Sequence, residues 1–128
     1  MRNFIVWVVL LVVGLLVGFV PQYLKARRLD EELSSCTAKA GLAQARQSGA
    51  LTYIAATQLN YGVAAGYAQI FFADAQKLQG TTSDTSLRDL LTQILSSRDK
   101  ITADLARGSS DVIGELQPLV LKLQQAGQ

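Results

Sequence analysis

Side chains that ordinarily carry covalent or metal chemistry are few in this chain. It has no histidine and a single cysteine, Cys36, so zinc and haem lack their usual ligands and a Cys-His pair lacks its base. Carboxylates acting as acid and base need burial in a cleft, whereas Asp99 and Asp104 stand five residues apart on a helical stretch whose charges read as solvated. Gly62-x-x-x-Gly66 lies inside a helical pattern with no Lys-Ser/Thr after it, which is not a phosphate-binding loop. The residues therefore predict no enzyme, no cofactor and no metal site.

The most suggestive polar and aromatic set is Tyr53, Asn60, Tyr61, Tyr67, Phe71 and Phe72. Two readings compete for it. The rings either pack in a core with tyrosine hydroxyls at the rim, or line a groove for a partner helix or apolar ligand that Asn60 and the hydroxyls orient.

The element that governs where any such site acts is the run FIVWVVLLVVGLLVGFV, Phe4 to Val20, without a charged or amide side chain. Its seventeen residues cover roughly 25 Å as a helix, and about 31 Å with Pro21 to Leu24 included, which matches a hydrocarbon core of roughly 30 Å. Fourteen of them are Leu, Ile, Phe or Val, contributing on the order of −4 to −8 kcal/mol to insertion. Tyr23 falls at headgroup level, and Lys25, Arg27 and Arg28 stop the segment. A cleaved signal peptide has a shorter apolar region and a small-residue cleavage site, but here VPQYLKARR follows. An uncleaved signal anchor over residues 1–24 is expected, with a helical domain over 25–128. Leu33-Ser34-Ser35-Cys36 looks like a Leu-small-small-Cys lipid-attachment sequence, yet the charged stretch KARRLDEE separates it from the apolar run it should directly follow.

Gly14 and Gly18 lie one turn apart on one face of the span, the spacing that lets two helices approach closely in lipid. Self-association into a homodimer through this face is one expectation. Orientation is nearly balanced. Lys25, Arg27 and Arg28 against Arg2 and the amino terminus place the domain in the cytoplasm by the positive-inside rule. A short basic tail before a long apolar run is also the common form of an anchor whose domain is exported, and the reading inclines to that side.

Beyond Leu24 eleven basic residues balance ten acidic ones, so no nucleic-acid footprint is present. Roughly a hundred residues allow one small domain, and one cysteine excludes an internal disulfide. Helical periodicity predicts four helices. The first, from Gln22 to Gln47, carries Leu29, Leu33, Cys36, Ala40 and Ala43 at alternating steps of four and three, the seam of a coiled coil but only about two heptads long. Ser48-Gly49 reads as a turn, and a central second helix runs from Ala50 to about Gln79. Within it Gly62 and Gly66 are expected at a close helix contact, so that Gly66→Leu costs about 1–3 kcal/mol by overpacking. The third runs from Ser86 to Arg107, opened by a capping-box-like Ser86 and Asp89, its stripe broken at Arg98 and its end marked by Gly108. A fourth starts at Ser109 or Ser110 and is kinked or split at Pro118.

The fold class expected is all-α, a transmembrane helix continuing into a small antiparallel bundle. The function expected is a non-catalytic interaction, scaffold or accessory protein at the cell membrane, its partners the bilayer and another protein, not nucleic acid. The alternative is a tethered bundle that binds a lipid or small apolar ligand beside the second helix.

Overall fold

Helices α1 (Arg2–Thr57), α2 (Tyr61–Thr81), α3 (Thr85–Ser96), α4 (Arg98–Arg107) and α5 (Asp111–Gln125) follow one another in a computed structural model that describes residues 1–127, with no strand among them. Two compact units divide the chain within α1, Met1–Cys36 and Thr37–Gln128. The second unit begins at Thr37, and every residue from 25 to 36 is exposed.

The predicted turn at Ser48-Gly49 does not form, and α1 runs through it. Thr52 donates to the Ser48 carbonyl at 2.7 Å and the Ser48 hydroxyl lies 3.0 Å from the Gln44 carbonyl, so both polar side chains are accommodated along an unbroken helix. Gly49 is buried there: a Cβ built on it would stand 2.9 Å from Cε2 of Phe71. The small residues mark a close approach of α1 to α2.

The chain turns instead at residues 58–60. Leu59 N–H donates to Ala56 and Asn60 N–H to Ala55, both at 3.0 Å, which is the Schellman ending. Its left-handed position is held by Leu59 at φ 60°, where glycine is usual. Asn60 then caps α2, its side chain accepting from Val63 N–H at 3.4 Å. The same ending closes α4 through Gly108 at φ 67°, with bonds from Gly108 to Leu105 and from Ser109 to Asp104. Leu59→Gly should therefore stabilise the Thr37–Gln128 unit by about 0.5–1 kcal/mol, the left-handed penalty less the added freedom of the unfolded chain. Chemical denaturation compares the two.

Two more boundaries differ from expectation. Asp84 opens α3, accepting from Ser86 and Leu87 N–H at 2.9 and 3.2 Å, so the cap is not the Ser86 and Asp89 pair. The break in the apolar stripe at Arg98 is a helix boundary, with Ser97 between α3 and α4. Pro118, in contrast, sits inside an unsplit α5. It is exposed, while Leu116, Leu119 and Leu123 face the core, so the hydrogen bond it forfeits lies on the solvent side.

One core joins all five helices. Phe71, Phe72 and Leu78 of α2 meet Leu91 and Ile94 of α3, Ile101 and Leu105 of α4, and Val112, Leu116 and Leu123 of α5. From α1 the buried side chains are small, Ala45, Ser48, Thr52, Ala55 and Ala56. Arg46 ties α1 to the end of α5: its Nε donates to the Leu123 carbonyl at 3.0 Å and its Nη2 to that of Ala126, while Gln124 donates to the Arg46 carbonyl at 3.2 Å. A cation on the last carbonyls of a helix opposes the negative end of its dipole.

Candidate functional site

In the Met1–Cys36 unit every residue is exposed, including the whole apolar run from Phe4 to Val20. Leu10, Leu11, Leu15 and Leu16 each expose about 60% of their area. α1 is the one helix among the described residues long and apolar enough to cross a membrane, and none of its apolar window is buried. Gly14 and Gly18 have nothing within 4 Å of a built Cβ. At the charged end of the run the Arg27 guanidinium lies 5.2 Å from the Tyr23 ring centroid, a cation–π contact one turn long.

In the Thr37–Gln128 unit the six aromatic and polar candidates separate. Phe71 and Phe72 are core, 0% and 2% exposed, with ring centroids 5.3 Å apart and tilted by 42°. Tyr53, Tyr61 and Tyr67 are half-buried against that core, and the Tyr61 ring lies over Gly108, 3.5 Å from where a Cβ would stand. Asn60 is a helix cap. The set does not line a groove together, because the adjacent Phe71 and Phe72 turn into the core and Asn60 belongs to the turn before α2.

Gly62 and Gly66 do not make the close contact expected of them; both are exposed with nothing within 4 Å of a built Cβ. The contacts belong to Gly49 against Phe71, and to Gly41, whose Cβ would stand 3.3 Å from Leu78 Cδ1. Gly66→Ala should accordingly stabilise the unit by about 0.5–1 kcal/mol through helix propensity, read as a rise in thermal midpoint. A loss of stability would put a neighbour over Gly66 after all.

Tyr67 lines an open groove between α1 and α2, of about 270 Å³, with Gln47, Ser48, Leu51, Ile70 and Asp74. The Ser48 hydroxyl donates to the Asp74 carboxylate at 2.9 Å across it. Val63, Tyr67 and Ile70 share one face of α2 by their spacing, as Leu51 and Ile54 share one of α1. Ile54, Val63 and Ile70 are 47%, 45% and 52% exposed, an apolar strip beside a polar floor. A second groove, of about 430 Å³, lies between the start of α3 and the end of α5, with Asp84, Asp89, Leu90, Gln93 and Lys122 among its lining.

Asp104, read as solvated, is 4% exposed. Arg107 pairs with it one turn on, and Lys100 lies 3.9 Å away while also pairing with Glu115 of α5. Both cations are about 70% exposed, so water screens the pairs, and the Lys100–Glu115 pair joins α4 to α5. The contacts of Arg46 and Gly49 carried no signal in the sequence, since their partners lie 77 and 22 residues away.

These features define an all-helical protein with one candidate membrane span near its N-terminus. Comparison with family models, with curated proteins and with solved structures returns no match.

Proposed function

We propose that this is a single-pass membrane protein whose N-terminal helix anchors a small helical bundle, exported from the cytoplasm, that serves as a non-catalytic interaction or scaffold module. The observation that carries the reading is the pairing of a wholly exposed apolar helix in one unit with an exposed apolar strip on a folded second unit. Water alone does not cover either surface at low cost, since each exposed CH₂ forfeits about 0.8 kcal/mol of burial, and contiguous apolar patches on a folded surface mark contact sites. At about 270 Å³ the groove beside Tyr67 falls below the roughly 300–1,000 Å³ of small-molecule sites. It suits a side chain of a protein partner, with Ser48 and Asp74 as polar contacts beside Leu51 and Ile70.

Three measurements test this. In membranes washed at alkaline pH the full chain should stay in the pellet while residues 25–128 alone are released. Protease added to sealed cells should cut the exported unit. In-membrane crosslinking should return a recurrent partner other than the chain itself, with recovery falling at least tenfold for Ile70→Asp at unchanged thermal midpoint. Recovery indifferent to that substitution would refute the interaction surface, and full release by alkali would refute the anchor.

A further inference from the structure

We infer that the partner of the anchor is a second copy of this chain, docked in parallel along one face of α1 that begins in the membrane span and runs to Cys36. At 3.6 residues per turn Gly14, Gly18, Leu29, Leu33 and Cys36 fall within about 100° of arc, and within the Met1–Cys36 unit all five are exposed. The two parts of the face call for the same occupant by different physics. In lipid, glycines one turn apart admit a neighbouring backbone, where van der Waals contact drives association. In water, Leu29 and Leu33 are 65% and 68% exposed and stand with Cys36 at the four-three spacing of a heptad seam.

Charge identifies the occupant. With Leu29 and Cys36 as d positions and Leu33 as a, Lys25 is g and Asp30 is e, flanking the seam on its two sides. In a parallel pair of identical helices, g of one copy meets the e five residues later in the other, so Lys25 faces Asp30 of the second copy twice over by symmetry. A parallel arrangement is also the one that two copies of a singly anchored chain adopt in the same bilayer, and in that respect the inference rests on the anchor proposed above. The seam by itself is too short for a stable coiled coil, and the glycine face extends it through the span.

Cysteine crosslinking of the full chain in native membranes tests this, because Cys36 is the only cysteine. Oxidation with copper phenanthroline should link Cys36 to Cys36 as a dimer on a non-reducing gel. In a Cys36→Ser background, Leu33→Cys and Leu29→Cys should link at least tenfold more than Glu31→Cys and Ser35→Cys, which lie on the opposite face. Gly14→Ile with Gly18→Ile should lower the yield several-fold. Lys25→Glu should lower it too, and Lys25→Glu with Asp30→Lys should restore it. Chain in the alkaline pellet with equal linkage at all positions, or with none, overturns the dimer and leaves the anchor standing. Chain in the supernatant overturns both.

Discussion

Phe71→Ala is expected to destabilise the Thr37–Gln128 unit by about 3–5 kcal/mol, the range for deleting a fully buried ring. Phe71 is 0% exposed, packs tilted against Phe72, and presents its edge to the bare backbone of Gly49. Its removal therefore opens a void bounded on one side by a helix that has no side chain to fill it. Small domains are stable by about 5–15 kcal/mol, so the variant should lose a large share of that and unfold at least about 12 °C lower. Urea denaturation of the full chain in detergent measures it. A cost below about 1 kcal/mol would mean that the α1–α2 contact does not depend on this ring.

Gly49→Val is expected to cost about 2–3 kcal/mol by overpacking. The first added carbon already falls 2.9 Å from Phe71 Cε2 and 3.2 Å from Cδ2, and the ring is boxed in by the core, so α1 must move away from α2. Gly49→Ala tests the same contact more gently. It gains about 1 kcal/mol of helix propensity against a similar or larger clash, and Phe71→Leu in the same chain should relieve the clash. A double-mutant cycle would read that coupling as a departure from additivity of more than about 0.5 kcal/mol. Strict additivity would show that the two residues do not touch.

The same pair explains where sequence reading and structure part. Ser48-Gly49 has the composition of a turn, and in an isolated peptide it would weaken the helix. In the folded unit the missing side chain is what lets the Phe71 ring sit against α1, and burial of an aromatic ring outweighs a propensity cost of about 1 kcal/mol. Gly62 and Gly66 fail in the opposite sense. Their spacing looks like a packing motif, but the face they occupy on α2 is set by Ala64, Ala68 and Phe71, which turn inward and leave both glycines to solvent. Asn60 caps α2, but the apolar residues on either side of it read as one periodic stretch. The left-handed Leu59 that separates the helices has no counterpart in composition, since glycine is the residue expected there.

What the amino-acid order determined by itself is local: an uninterrupted apolar run of membrane-spanning length, helical periods with apolar faces through the rest, and the glycine that ends α4 at residue 108. These depend on neighbours within a turn or two of the same helix, and such neighbours are visible in a linear reading. Tertiary structure decided which small residues are contacts and which are merely exposed, which rings enter the core, and that Arg46 holds the last carbonyls of α5. Those outcomes depend on groups brought together from 20 to 80 positions apart, and no period along the chain records a partner at that distance.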